Sequence, residues 1–180
     1  MLLQKIIKPP VLHLGIIGGM GPLASAGFVR TIYKLSVGKE EQQKLKLSLI
    51  SDPSIPDRTD FFLRGNSDLL LKTLLKQIVM LKDMGATHIV ICCITIHYLL
   101  PRLPVEFSNC IVSLVDILIK QIKYFGKKPL ILCTSGTKQL ELLEKHPKYK
   151  EIKNIVQFLL PIDQQKLHDA IYFFKKKLCA

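Results

Sequence analysis

The sequence predicts an α/β protein of two similar lobes, each built on a parallel sheet. Two observations carry that expectation. Short apolar runs end at turns rich in Gly, Pro, Ser or Thr, and stretches with helical apolar spacing follow them. The same alternation recurs in the second half of the chain, as consecutive βαβ units require.

Residues 11–17, with Leu12, Leu14, Ile16 and Ile17, read as a buried first strand ending at Gly18-Gly19-Met20-Gly21. Pro22 suits the first position of a helix. Phe28, Ile32 and Leu35 then keep helical spacing over residues 23–37, and Gly38 closes the run. Residues 45–50 alternate as a second strand and lead into residues 51–59, which Pro53 and Pro56 mark as a loop without regular structure. Residues 69–84 form an amphipathic helix ending at Gly85, and residues 89–93 a third strand. A loop around residues 101–107 divides the lobes, so residues 1–104 form the first, carrying Cys93, and residues 105–180 the second. In that second lobe residues 110–115, 129–133 and 155–160 read as strands. Residues 117–125 and 163–177 read as helices, and Thr134-Ser135-Gly136-Thr137 opens another, with Thr134 or Ser135 as its N-cap. The sequence stops at Ala180 directly after a helix, so the second lobe is expected to lack its last strand.

Composition excludes several classes. With 48% hydrophobic and 22% charged residues among 180, the chain can bury a sizeable core and is not of disordered type. Its five cysteines form no C-x-x-C pair or Cys/His zinc spacing, which argues against a disulfide framework or a structural metal. Lys5, Lys8, Pro9 and Pro10 break up the N-terminus, so it does not read as a secretory signal, and no apolar stretch has membrane-spanning length. A cytoplasmic protein with no membrane partner is the expectation. The net charge is +12, of which residues 120–180 supply +8 through 13 Lys against 5 acidic residues. These lysines are scattered through helices and loops, with no helix-turn-helix, zinc-finger or RNA-binding aromatic signature. They read as solvated faces rather than a nucleic-acid surface.

Cys93 closes the apolar run Ile89-Val90-Ile91-Cys92, and the carboxyl ends of parallel strands are where α/β sheets build active sites. A thiolate there could act as nucleophile or base. Buried free cysteines also serve as small hydrophobes, and Cys92 and Cys93 taken alone fit that role. His97 is either a core histidine or an orienting group for Cys93. Glycines at 15, 18, 19 and 21 do not match the G-x-G-x-x-G spacing, and no acidic residue follows at a ribose-binding position, so a nucleotide cofactor is not expected. These glycines either let backbone amides approach a small anion at a helix start or simply form a tight turn. Arg58 is a candidate carboxylate clamp, or else an arginine paired with Asp57 or Asp60. Thr134-Ser135-Gly136-Thr137 offers hydroxyls and amides suited to a carboxylate, and equally an ordinary helix cap.

Four segments together resemble the aspartate/glutamate racemase family: Gly18-Gly19-Met20-Gly21-Pro22, Ile55-Pro56-Asp57-Arg58-Thr59, Cys93-Ile94-Thr95-Ile96-His97 and Thr134-Ser135-Gly136-Thr137. Their order and spacing match from residue 11 to about residue 177. The resemblance implies a cofactor-independent amino-acid racemase, working without PLP or metal. It also implies two pseudo-symmetric lobes with the site in the cleft between them. Racemisation takes the α-proton from one face and returns one to the other, so a base and an acid must flank the carbon. In the family a cysteine from each lobe does this, and Cys93 matches the first. Met20 and Gly21, Arg58 and Thr59, Thr95, Thr134, Ser135, Gly136 and Thr137 match the substrate-binding positions. Lys177 matches a lysine of the last helix, with Lys175 and Lys176 as competitors.

The chain departs from the family pattern twice. Ile94 stands where the family carries Asn, which removes a side-chain hydrogen bond to substrate. The second-lobe cysteine belongs to a Gly-Cys-Thr strand that has no counterpart here, and neither Cys133 nor Cys179 has that context. Two functions follow: a racemase of aspartate or glutamate weakened in its second proton transfer, or a catalytically defective relative that binds a small dicarboxylate amino acid. An open sheet edge in the second lobe would need covering, so a homodimer is expected.

Overall fold

A computed structural model describes residues 12–36, 40–65 and 67–178 of the chain. The first half runs β1 (His13–Gly18), α1 (Pro22–Leu35), β2 (Lys46–Ser51), α2 (Arg58–Leu63), α3 (Ser67–Asp83) and β3 (His88–Ile91). A 3-10 turn over Thr95–Arg102 and α4 (Val105–Ser108) lead to β4 (Ile111–Val112). The second half continues with α5 (Leu114–Phe125), β5 (Leu130–Ile131), α6 (Ser135–Gln139), β6 (Gln157–Phe158) and α7 (Pro161–Leu178).

Strands β2-β1-β3-β4 form one sheet in that order, and β5-β6 a second; every pairing is parallel. Ile16, Ile17, Ile89 and Ile91 are fully buried, as expected of parallel strands covered on both faces. On α3, Leu70, Leu74, Ile78 and Leu81 form the apolar stripe that packs into this core. Val115, Ile119 and Ile122 of α5 repeat the device in a second cluster with Leu143 and Ile152. β4 lies beyond the boundary expected at residue 104, yet it pairs with β3, so the first sheet takes its fourth strand from there.

Several expected boundaries shift for local reasons. Residues 58 and 59 are helical rather than loop. Asp57 caps α2, its Oδ1 accepting from the amides of Thr59 and Asp60, so the prolines precede a helix instead of excluding one. The strand expected over 110–115 shrinks to two residues because Ser113 Oγ accepts the Asp116 amide and starts α5 at Leu114. The strands expected at 129–133 and 155–160 likewise reduce to two residues each. Thr134, not Ser135, is the N-cap of α6, which spans only five residues. The first helix ends at Leu35, and Val11, Val37, Gly38 and Cys179 lie outside the described residues.

The turn after β1 depends on Gly19. Its φ is +87°, and a Cβ there would collide with the Asp52 backbone, so this glycine lets two loops touch. Gly27, in the middle of α1, meets nothing within 4 Å. Gly19→Ala should therefore lower stability by about 1–3 kcal/mol. Gly27→Ala should raise it by roughly 0.5–1 kcal/mol. Urea midpoints of the two variants, moving in opposite directions, check this.

Candidate active site

Cys93 sits just past the end of β3. The preceding amide, Cys92 N–H, donates to Ile17 O at 2.8 Å and extends the β1–β3 ladder. Cys93 N–H then turns back to Ile91 O at 2.8 Å, and its carbonyl accepts from His97 Nδ1 at 2.9 Å. His97 Nε2 in turn accepts the Leu114 amide at 3.1 Å. A carbonyl can only accept and an amide can only donate, so these partners require the neutral imidazole with its proton on Nδ1. Burial also pushes the His97 pKa down, opposed by backbone groups including the Cys93 carbonyl. His97 is thus both a buried residue and the holder of the Cys93 backbone. Burial pushes the Cys92 thiol up to about 11, and burial also raises Cys110 and Cys133, so all three are held as thiols at neutral pH.

Arg58 begins α2 and is 9% exposed. Nη1 donates to Ile55 O at 3.3 Å and Pro56 O at 3.0 Å, and Nη2 donates to Met20 O at 3.0 Å. Neither Asp57 nor Asp60 is within ion-pair distance, so the alternative of a pairing with either is not the one adopted. Nε is buried with no hydrogen-bond partner. Arginine has five N–H donors, so Nε–H and one Nη2 hydrogen are left for an incoming acceptor.

Asp57 faces the other way. Its Oδ2 accepts from the Tyr172 hydroxyl of α7 at 2.8 Å across 115 residues of chain. Burial raises the Asp57 pKa, but the Tyr172 hydroxyl, the Asp60 amide and the Arg58 and Lys175 charges outweigh it and hold the carboxyl below its usual 3.8. Burial, reinforced by Asp57 and opposed by Thr59, pushes the Tyr172 phenol up to about 12. Lys175 Nζ lies 4.4 Å from the Tyr172 ring centre, whereas Lys177 sits over Phe173. The structure therefore brings Lys175, not Lys177, to this cluster. Gln164, His168, Tyr172 and Lys175 share one face of α7 by their spacing of four, four and three residues. That polar stripe was available in the sequence and identifies the lysine that points inward.

The hydroxyl loop meets the first half directly. Thr95 Oγ1 and Thr137 Oγ1 share a hydrogen bond of 2.8 Å, with Thr134 Oγ1 3.2 Å from the latter. Gly136 packs on Thr59 so closely that a Cβ would collide with its side chain. The loop's amides are partly spent internally: Ser135 N–H donates to His168 Nδ1 and Thr137 N–H to Thr134 Oγ1. Gln164 Nε2 donates to Cys133 O at 2.9 Å. In the first turn Gly19 N–H donates to Ser25 Oγ, and that hydroxyl donates to Gly21 O, so the Gly19 amide is not free for an anion. Ile94 and Cys133 line a cavity of about 90 Å³ beside Thr137. A cavity of about 340 Å³ lies behind the Cys93 loop, against His97, Tyr98, Leu140 and His146. Another of about 530 Å³ opens between residues 50–56 and α3, at Lys76 and Gln77. Among the described residues no group of His, Cys, Asp or Glu side chains is placed to hold a metal, and no helix is long and apolar enough to cross a membrane.

A strand-end thiol, a buried arginine and paired threonines thus follow the carboxyl ends of parallel strands. Residues 17–166 match the Asp/Glu/Hydantoin racemase family model, and the chain belongs to that family. Solved structures share the fold. An aspartate racemase from Picrophilus torridus superposes with a TM-score of 0.76 at 24% identity, over 91% of this chain and 68% of that one. A candidate Asp/Glu racemase from Yersinia pestis gives 0.71 at 23% identity, over 89% and 70%. An aspartate racemase homologue from Pyrococcus horikoshii OT3 gives 0.61 at 21%, over 89% and 70%.

The Tyr172–Asp57 bond is the link between α7 and the start of α2, and a hydrogen bond to a charged acceptor contributes about 1.5–3 kcal/mol. Tyr172→Phe should lower stability by an amount at the bottom of that range at pH 7, since both groups are only half-buried. A depressed carboxyl contributes stability that is present above its unfolded pKa and is lost as pH falls through the folded one. The difference between wild type and Tyr172→Phe should therefore shrink as pH falls below 3.8. Urea denaturation at pH 7 and pH 3 measures it.

Proposed function

We propose that this protein racemises a small acidic amino acid, aspartate or glutamate, using Cys93 as its thiol acid–base without PLP. The single observation that carries the reading is the buried Arg58 guanidinium, which lacks an anionic partner within ion-pair distance and keeps two N–H donors unspent. A substrate carboxylate is the partner it fits, by a charge-assisted bond stronger than a neutral one. Thr95 and Thr137, already hydrogen-bonded to each other, would turn to the α-carboxylate and α-amino groups. Lys175 would add a positive charge near the same end. The Cys93 thiolate takes the α-proton from one face, and charge developing on the α-carbon spreads into the α-carboxylate that the threonines hold, while Arg58 holds the side-chain carboxylate.

Among the described residues no thiol is assigned to the second face. Cys133 is a half-buried thiol beside Ile94 and Thr137, away from the Gly-Cys-Thr context of the family's second cysteine. Loss of a positioned general acid costs about two to four orders of magnitude, so we expect exchange on one face to outrun full racemisation. The lobe division at residue 104 and a homodimeric state remain part of this proposal. The exposed Leu130, Leu132 and Leu160 around the second sheet support an apolar contact there.

Incubation of L- and D-aspartate and of L- and D-glutamate in deuterated buffer, with no PLP added, tests the reading. We expect α-deuterium to enter one enantiomer faster than the enantiomer ratio changes, and Cys93→Ala to abolish both. Fast racemisation of both enantiomers would place an effective acid on the second face. No exchange at all would leave a protein that binds the amino acid without turning it over.

A further inference from the structure

The residue that decides where the Cys93 thiol points is four positions further on. Both polar atoms of the Cys93 peptide are committed, the N–H to Ile91 O and the C=O to His97 Nδ1. The first bond is internal to the strand end. The second is the one that reaches outward, because His97 Nε2 continues to the Leu114 amide at the first turn of α5. That amide is one of the donors a helix start leaves without an intrahelical partner, so the imidazole satisfies it as well. One ring thus bridges the thiol-bearing turn and the first helix of the second half of the chain.

Packing alone does not hold this ring. His97 is 3% exposed, yet part of its surface borders the cavity of about 340 Å³ shared with Tyr98, Leu140 and His146. With an open space alongside, its orientation rests on the two hydrogen bonds. Asp116, Lys145 and His146 line the same cavity, and none of them is within hydrogen-bond distance of the ring.

We infer that His97 is the positioning residue for Cys93, acting as a neutral two-ended strut that fixes the turn carrying the thiol against the start of α5. The inference deepens the proposed racemase reading and rests on Cys93 being its acid–base. It does not make His97 catalytic, since both ring nitrogens are spent on the backbone. The two ends can be separated. In His97→Asn the amide nitrogen occupies the place of Nδ1 and can still donate to the Cys93 carbonyl. In His97→Gln the side-chain oxygen reaches the place of Nε2, keeps the Leu114 amide and leaves the Cys93 carbonyl unpaired. Misplacing a reacting group by about 1 Å can cost roughly 100-fold in rate.

We expect His97→Gln to lower kcat for α-deuterium exchange by about 10–100-fold with little change in KM, and His97→Asn to recover at least tenfold of that loss. A second readout is independent of turnover: iodoacetamide alkylation of Cys93, followed by peptide mass mapping, should accelerate in His97→Gln and stay near the wild-type rate in His97→Asn. A third uses the unmodified protein. Ring 15N shifts in a long-range 15N–1H spectrum should report the neutral tautomer with the proton on Nδ1. Equal kcat and equal alkylation in folded Asn and Gln variants, or a ring protonated on Nε2 in wild type, would overturn the inference. If the protein exchanges no substrate, the alkylation and NMR results decide it alone, so a failure of the racemase reading is distinguishable from a failure of this one.

Discussion

Parallel pairing is the constraint on which everything else depends. Strand β1 lies in the middle, with Gly18 opposite Ser51 of β2 and Ile17 opposite Ile91 of β3. Because the three strands run the same way and end together, the segments 19–21, 52–57 and 92–97 emerge at one edge of the sheet. They become neighbours before any side chain has formed a contact. The contacts then fix the arrangement: Gly19 on the Asp52 backbone, Arg58 on Met20 O, and the Cys92 amide on Ile17 O. A one-residue slip of β3 would exchange the faces that Ile89, Val90 and Ile91 occupy and carry Cys93 away with them. Sheet register and the location of the thiol are therefore the same quantity.

Charge is handled differently on the two sides of residue 57. Taking a guanidinium out of water costs several kcal/mol even after relaxation. Three carbonyl acceptors, each contributing roughly 1.5–3 kcal/mol when the donor is charged, go far towards offsetting that cost for Arg58. They leave its charge uncancelled, with Asp57 acting on it only from beyond ion-pair distance. Asp57 spends one oxygen on helix amides and the other on Tyr172, so its own negative charge is already answered. A cation with two donors unspent and its charge unpaired is poised for an anion. An anion satisfied in both hydrogen bonds and charge is a piece of scaffold.

Much of this was legible in the sequence because strand, turn and helix signals there agree. Ile16, Ile17, Ile89 and Ile91 announce buried strands, Pro22 a helix start, and Leu70, Leu74, Ile78 and Leu81 the stripe that packs on them. What was hidden depends on side chains satisfying backbone at a distance of two or three residues. Asp57 starts a helix that apolar spacing did not suggest, and Ser113 starts one earlier than suggested and shortens a strand. Cys93, Arg58, Thr95 and Thr137 could be named from their places after strands. For His168 and Tyr172 the sequence shows the stripe on α7 but not its partners, which for these residues and for Asp57 lie far along the chain until the fold brings them together. Lys175 rather than Lys177 follows from helical phase, a weaker signal than residue type in a run of three lysines.

Ile94 shows how the two halves are held while the site stays adjustable. Adjacent to Cys93, it packs against the second cluster and lines a cavity there with Val115, Leu118, Ile131 and Leu142. Cys93 itself packs with the first cluster. Neighbouring residues thus point into different cores, and the strand end becomes a joint between them. Half-burying an isoleucine contributes only part of the roughly 1.5–3 kcal/mol of full burial, similar to the roughly 0.5–1.5 kcal/mol net of the Thr95–Thr137 hydroxyl bond that also crosses the joint. Two contacts of similar size therefore cross the joint, and of the two only the hydroxyl pair offers groups that a polar molecule could take over. A substrate that replaces the threonine bond with two of its own loses little, because Ile94 keeps the halves together while it does so. An asparagine at position 94 would surrender the apolar part of that joint, because its amide cannot pack with the second cluster as the isoleucine does.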